Sequence, residues 1–429
     1  RYVSMSSFNN CIKFDLDIKE KNIVFKDYFY KMVQMKKHKI YEAELIQPAC
    51  PYCGSLALLH NGHLITNIRY LTANASHPVT IRLAKQRVRC RDCSRWSMAQ
   101  SELASKYCSI SNASKLKILS ALTEDRSMTS IARENNVSVN TVQRVLGSCS
   151  HRFLDSYEYL PAHLAFAEFK GVDRQLHFIC LDGDSHQVVQ ILRTRYKKNL
   201  LKYFGRFSPQ ARANVRTVTM DLNFYYQDIV RACFPNAQIV IDRFHMIQML
   251  TRSFNSLRVK VMKTFDKRSR QYQLLKSPWK LYLKKYDELE KIHPRYNWHY
   301  KDCLTQAQVV MEGISANTAL ENSYNLMQSF MQAIETNNTQ ELKSLITSKD
   351  SIGTLMHKTL LTFKYNLKAV LNGAALPDSN GCLEGFNRKI KQSERTAFGY
   401  SNFINLLTRI RLEENQYKEK EPNSLLMTA

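Results

Sequence analysis

The sequence predicts a multidomain α+β chain, in which two small N-terminal modules precede an α/β core and a long all-α stretch interrupts that core. Three observations predict it. Two Cys-x-x-Cys pairs, Cys50 with Cys53 and Cys90 with Cys93, have the spacing of a small metal-stapled module. From Val215 to His245, two short β-branched runs, VRTVTM and AQIVI, flank an amphipathic segment, the pattern of a buried parallel sheet. From Met246 to about Ala375 the apolar spacing is helical throughout.

Composition narrows the class. At 429 residues the chain is too long for a single core, and about three domains is the expectation from length. Hydrophobic residues make up 44% of it and there are ten prolines, which describes a folded protein. Lys and Arg exceed Asp and Glu by 62 − 37 = 25, so the formal net charge is +25. A surplus that large points to a polyanionic partner. No apolar run approaches the roughly 20 residues that span a bilayer, and no signal-peptide core is visible. The expectation is a cytoplasmic protein with no membrane partner. The eleven cysteines are an odd count, mostly scattered singly, which argues for a reducing compartment and against a disulfide framework. Met5 reads as a natural start, with residues 1–4 an extension.

Residues 1–45 read as a partly helical lead-in, with the basic, aromatic run YFYKMVQMKKHKIY. Residues 46–100 read as a zinc ribbon. The thiolates of Cys50, Cys53, Cys90 and Cys93 can surround one Zn2+ tetrahedrally, and Gly54 relieves the turn after the first pair. HLITNIRYLT and PVTIRLAKQRVRC alternate like ribbon strands, and the 36 residues from 54 to 89 suit a long hairpin. Arg89, Arg91 and Arg95, with Arg87 and Trp96, stand beside the second pair as candidates for phosphate contact or stacking, or as a solvated face.

Residues 110–150 read as a helix-turn-helix. SKLKILSALTED, MTSIARENN and VNTVQRVLG are three helices, the last capped by Ser138, with apolar spacing at Ile131, Ala132, Val137, Val142 and Val145. That pattern turns Asn140, Thr141, Gln143 and Arg144 outward, able to reach base edges or phosphates of double-stranded DNA. A three-helix packing unit is the plain alternative. Beside a zinc ribbon in so basic a chain, DNA binding is the preferred reading.

Residues 160–246 open the core. HLAFAEFKG is a strand, RQLHFICLDGDSHQVVQILR a hairpin turning at Gly183-Asp184, and NLLKYFGRFSP a helix. With the Val215–His245 stretch the order is strand, strand, strand, helix, strand, helix, strand, that of a ribonuclease-H-like core. Phe224, Ile229, Val230 and Phe234 are spaced for one face of the helix. The last two strands end in Asp221 and Asp242, at carboxyl ends where chemistry collects in such sheets. The plain alternative is that Asp221 caps a helix and Asp242 pairs with Arg243.

Residues 247–376 form the α-helical insertion, dense in Lys and Arg, in which Trp279, Trp298, Leu326 and Phe330 read as core. PDSNG at 377–381 is a breaker, and residues 377–429 supply the C-terminal helices of the core. Glu384 lies in the first turn, and Asn387 and Lys391 follow on its face as candidate DNA contacts.

The motifs CPYCG with CRDC, FAEFKG, VTMDLNFYY, FPNAQIVIDRFH and NGCLEGFNRKIKQSERTAFGYSNF together resemble bacterial insertion-sequence transposases of the DDE type, specifically the ISL-three family, over nearly the whole chain. The resemblance implies a zinc ribbon and helix-turn-helix that bind terminal inverted repeats, and a ribonuclease-H-like catalytic core with an α-helical insertion. It implies a bacterial, nucleoid-associated location and a catalytic pair of Mg2+ or Mn2+ ions held by two aspartates and a glutamate. By position Asp221 matches the second aspartate and Glu384 the glutamate. Asp242-Arg-Phe-His245 matches a D-x-x-H signature, in which His245 contacts the scissile phosphate, orients a carboxylate or forms a structural pair. Two hard cations side by side need carboxylate oxygens for ligands and for charge.

The first aspartate is the departure. Ala167 stands at its position in Phe166-Ala167-Glu168-Phe169, and alternation along the strand turns Glu168 to the opposite face. A methyl group binds no metal, so the chain is expected to bind metal weakly and cleave DNA poorly, through a deliberate inactivating substitution or natural decay. The two function readings are a DNA transposase, working as a homodimer on paired ends, and a non-catalytic transposase-derived DNA-binding regulator. An RNA-directed nuclease is disfavoured, since a recognition helix does not fit the narrow A-form major groove.

Overall fold

The computed structural model describes residues 5–33, 36–71, 77–150, 157–348, 352–397 and 399–414. The extension expected at 1–4 lies outside the described residues. The chain divides into two compact units, one of Arg1–Asp155 with Ile390–Ala429, the other of Ser156–Lys389.

The first unit begins with α1 (Met5–Asp15) and a sheet of β1 (Ile23–Val33), β2 (Lys36–Leu45), β3 (Leu58–Tyr70), β4 (Val79–Cys90) and β5 (Trp96–Met98). The spatial order is β1-β2-β4-β3, with β5 on the free length of β4. The long β3–β4 hairpin is the ribbon hairpin expected; the lead-in is partly helical, as α1, and the rest of it is two strands. Its β1 and β2 belong to the same sheet, β2 running parallel to β4 from Lys39↔Val79 to Leu45↔Lys85. The physical reason is burial: Ile23, Phe25, Tyr41, Ala43 and Leu45 close over Ile68, Ile81 and Leu83 in one apolar cluster. The basic, aromatic run therefore lies on strands, with Tyr28, Phe29 and Tyr30 exposed near the hairpin end.

Three helices follow, α2 (Asn112–Ala121), α3 (Met128–Glu134) and α4 (Val139–Ser148). Each starts on a serine, Ser111, Ser127 and Ser138, whose hydroxyl accepts a backbone N–H three residues on. Ile118, Ile131, Ala132, Val142, Val145 and Leu146 form their common core, with Val137 packed against it.

The second unit is built on β6 (His163–Lys170), β7 (Leu176–Asp182), β8 (Val188–Leu192), α5 (Lys197–Phe204), α6 (Pro209–Asn214), β9 (Thr217–Met220), α7 (Phe224–Cys233) and β10 (Gln238–Ile241). The sheet order is β10-β9-β6-β7-β8, with β10, β9 and β6 mutually parallel and β7 and β8 antiparallel to their neighbours. Phe166 stacks on Phe204 at 5.5 Å and meets Phe178 edge-on at 5.0 Å, with Tyr226 and Phe234 closing the cluster. Burying such side chains stabilises the fold by about 1.5–3 kcal/mol each. Phe224 does not share that face and is 59% exposed. It lies two residues before Tyr226, about 200° round the helix from the buried set.

The insertion comprises α8 (Arg243–Met262), α9 (Arg270–Lys276), β11 (Arg295–Asn297), β12 (Asp302–Leu304), α10 (Gln306–Ile314), α11 (Thr318–Glu335), α12 (Thr339–Thr347), α13 (Thr354–Tyr365) and α14 (Leu367–Ala375). It is not helical throughout. Between α9 and α10, Pro278 and Pro294 interrupt the periodicity and the chain forms 3-10 turns and the β11–β12 hairpin. Leu326 and Phe330 are core as expected, but Trp298 is 82% exposed and Trp279 40% exposed. Trp298 sits at the hairpin turn, just past Asn297, packed edge-on against the exposed Tyr296.

α14 lies so close to β10 that a Cβ on Gly373 would stand 2.1 Å from the Ile241 carbonyl oxygen. The chain ends in α15 (Gly381–Thr396) and α16 (Phe403–Glu413). The segment expected to serve the core as a whole is divided, because the first unit takes the chain from Ile390. Leu412 of α16 joins the three-helix core, and Arg409 donates to the carbonyls of Glu124 (2.6 Å) and Arg126 (2.9 Å). Among the described residues no helix is long and apolar enough to cross a membrane.

Candidate active site and zinc module

The pairing of the parallel strands decides which side chains meet. β6 and β9 pair from His163↔Thr217 to Phe166↔Met220, and β9 and β10 from Thr217↔Gln238 to Met220↔Ile241. One step further along this register, Ala167 within β6 stands in a row with Asp221 and Asp242, the first residues past β9 and β10. Asp221 is in the middle.

A loop far along the chain closes over this row. The Asn380 backbone N–H donates to Asp242 Oδ1 at 2.9 Å and its carboxamide Nδ2 donates to Asp221 Oδ1 at 3.5 Å. Arg243 donates to the carbonyls of Gly373 (2.7 Å), Ala374 (3.0 Å) and Leu376 (2.8 Å), holding the end of α14 from which that loop departs. Four residues past Asn380, Glu384 lies in the first turn of α15. The loop thus carries Glu384 to the strand ends.

Asp242 is buried and caps α8, accepting the backbone N–H of His245. Its expected partner Arg243 turns instead to the α14 carbonyls. Asp221 caps no helix, since Asn223 stands at the start of α7. Asp221 Oδ1 lies 2.6 Å from His245 Nε2. The hydrogen bond that His245 donates to Asp221, then the charges of Asp221, Asp242 and Glu384, raise the His245 pKa above its ordinary value against the opposing effect of burial. Three carboxylates from separate segments therefore act on one imidazole. Glu384 itself has Arg388 at 3.9 Å.

Neither nearby acid reaches into the row beside Ala167. Glu168 faces away from the row, accepting from Tyr225 (2.6 Å), Tyr226 (2.8 Å) and Arg195 (2.9 Å). Asp182 closes the β7–β8 turn, accepting from the Asp184 N–H and the Ser185 hydroxyl.

In the first unit, the four cysteine Sγ atoms all lie within 4.8 Å of one another. Cys50 and Cys93 are 3.5 Å apart, as are Cys53 and Cys90. A tetrahedral zinc site with bonds of about 2.3 Å has sulfur–sulfur edges of about 3.8 Å, so the cage fits structural Zn2+ with little adjustment. Each pair makes a knuckle, with Gly54 at φ +74° after the first and Ser94 at φ +58° after the second. Within this cluster the thiols split: contacts led by the Cys93 backbone N–H bring Cys90 down to about 6, while Cys53 is pushed up to about 12, and zinc would require all four as thiolates.

Residues 166–410, more than half of the chain, match the sequence model of the ISL3-type DDE transposases, described as a transposase, and residues 46–93 match that of the zinc finger of transposases IS204, IS1001, IS1096 and IS1165. The chain belongs to the ISL-three family of transposases. It is 22% identical over 365 residues to the transposase for insertion sequence element IS1001 of Bordetella parapertussis, covering 82% of this chain and 85% of that one. A stretch of 107 residues, 25% of this chain, is 30% identical to a protein named as an ATP-dependent protease in Lactococcus lactis subsp. lactis and spans 34% of that protein's length.

The transposase presents Asn140, Gln143 and Arg144 on the exposed side of α4. Thr141 is not outward: it is 8% exposed, with its hydroxyl 3.0 Å from that of Ser138 and accepting from Arg144 at 3.2 Å. Its place in the first turn makes it part of the cap. Arg87, Arg89, Arg91 and Arg95 are exposed near the second knuckle, Arg89 lying 5.6 Å from the Trp96 ring and Arg95 5.2 Å from that of Tyr52. On α15, Lys391 is exposed, while Asn387 has a buried Oδ1 with no partner among the described residues. Reading PDSNG only as a breaker missed Asn380 and its two contacts. The polar Asn just before a helix was the available signal.

Proposed function

We propose that this transposase binds the terminal inverted repeats of an insertion sequence through its zinc ribbon and helix-turn-helix, and that its core carries out divalent-metal-dependent DNA strand cleavage and transfer, in a form impaired by Ala167. What carries the reading is the row of Ala167, Asp221 and Asp242, with the Glu384 helix tethered to it by Asn380. Asp221 and Glu384 are the candidate ligands for Mg2+ or Mn2+. The donor chemistry fits, since both are hard oxygen donors and the buried Asn380 Oδ1 beside them has no partner among the described residues. The raised His245 pKa supports it, because the same carboxylates favour a cation at this point. Metal held by Asp221 and Glu384 would supply Lewis-acid activation of an attacking water or 3′-hydroxyl and charge stabilisation for the leaving oxygen. His245 orients Asp221 and stands where a phosphate oxygen could be met. Pairing of two ends calls for a homodimer, and work on bacterial DNA for a cytoplasmic, nucleoid-associated protein.

Ala167 favours a second reading, a DNA-binding regulator that no longer cuts. One experiment separates the two. Ala167→Asp is compared with the unmodified chain for nicking of a labelled terminal-repeat duplex in Mg2+ or Mn2+. Cutting by the restored variant alone supports the transposase reading. Equal cutting by both overturns the role of position 167, and binding without cutting by both supports the regulator.

A further inference from the structure

A second set of metal-binding side chains lies on the N-terminal sheet, apart from the four cysteines. On a regular strand, residues three apart point to opposite faces. β3 breaks that rule between His60 and His63, where the pairing with β4 shifts and Gly62 adopts φ +80°. The bulge turns both imidazoles to one side. Their Nε2 atoms are 3.2 Å apart. Glu44, from β2 on the far side of β4, brings Oε1 to 2.7 Å from His63 Nε2. Gln86 of β4 donates to that same oxygen at 3.1 Å, and Lys26 pairs with the other oxygen of Glu44.

Proton bookkeeping shows what this arrangement lacks. An imidazole nitrogen carries at most one hydrogen. If His63 Nε2 donates to Glu44, it has no lone pair to accept from His60. If it accepts from His60, two lone pairs face each other across the contact to Glu44. One hydrogen must therefore serve both short contacts, whereas one cation would satisfy all three atoms. Tetrahedral zinc with Zn–N bonds of about 2.0–2.1 Å has nitrogen–nitrogen edges of about 3.3 Å, close to the spacing found.

We propose that Glu44, His60 and His63 form a second zinc site, open at its fourth position and clamping β2 to the bulge of β3 across β4. Gln86 would orient the carboxylate, as polar neighbours of metal ligands do.

Untagged full-length protein, equilibrated with zinc and dialysed, tests this by metal analysis, with Co2+ substitution as the spectroscopic readout. Two equivalents per chain are expected, and one in His60→Ala/His63→Ala, whose thiolate-to-cobalt absorption is unchanged. Glu44→Gln loses the second equivalent at lower chelator concentration, and Lys26→Met, which removes a competing ammonium, retains it to higher concentration. One equivalent in the unmodified chain, two in the double variant, or loss of both equivalents from it would each overturn the proposal. An unchanged thermal midpoint of the metal-free double variant guards against misfolding as the cause.

Discussion

His245 Nε2 lies 2.6 Å from Asp221 Oδ1, which joins the first residue beyond one parallel strand to the first turn of the helix that follows the next. This contact separates two roles for the histidine. If His245 only orients Asp221, His245→Ala in the Ala167→Asp background lowers nicking by about tenfold. Direct contact with the scissile phosphate makes the loss about a hundredfold or more. Single-turnover nicking rates distinguish them, and unchanged repeat binding shows that the defect lies in the core.

The three helices α2, α3 and α4, read as the proposed helix-turn-helix, make a sharper contrast. Arg144→Ala is expected to weaken terminal-repeat binding and to reduce the slope of log affinity against log salt by about one phosphate contact. Thr141→Ala instead removes a buried hydroxyl from the cap and costs about 1 kcal/mol of stability. Salt titrations of binding and thermal unfolding of the two variants check the pair. A Thr141 variant of full stability and altered base preference would return this residue to the recognition surface.

Gly373→Ala tests the approach of α14 to β10. The added methyl meets the Ile241 carbonyl oxygen at 2.1 Å, a backbone atom that no side-chain rotation can move aside. The expected cost is about 1–3 kcal/mol. Displacement of the Arg243 contacts and the Asn380 loop should lower nicking in the Ala167→Asp background as well. Denaturant melts and nicking assays report the two effects separately.

Glu20 gives a pH test away from any metal ligand. Burial raises its pKa, despite hydrogen bonds from the Ser101 hydroxyl and the Glu102 N–H. A carboxyl whose folded pKa is raised binds its proton more tightly in the native state. Its contribution is therefore present below the unfolded value and lost as pH rises through the folded value. Glu20→Gln keeps an acceptor and removes the charge. Its thermal midpoint should exceed that of the unmodified chain at neutral pH and converge on it toward pH ~4.

Much of this was legible locally. The cysteine pairs, the Ser138 cap and the strand–helix–strand run ending in Asp221 and Asp242 each carry their signal within a few residues. Other features were not. The strands of the partly helical lead-in went unread because nothing near Ile23 or Leu45 announces a partner strand 40 residues on, at Val79–Lys85. Trp298 looked like core because its size favours burial, yet among the described residues it stays 82% exposed at the hairpin turn. Thr141 was assigned by helical spacing alone, which does not register that a first-turn hydroxyl serves the cap.

By itself, the sequence determined the elements of the strand–helix–strand run, the four paired cysteines, the family and the absence of a carboxylate at Ala167, because these are properties of residue identity and short-range period. Only the tertiary structure decided that Ala167, Asp221 and Asp242 stand side by side, that Asn380 and Arg243 bring Glu384 to them, and that His60 and His63 converge on Glu44. Those meetings depend on strand pairing, a bulge and the burial of distant apolar faces. No local pattern encodes which remote segment will complete them.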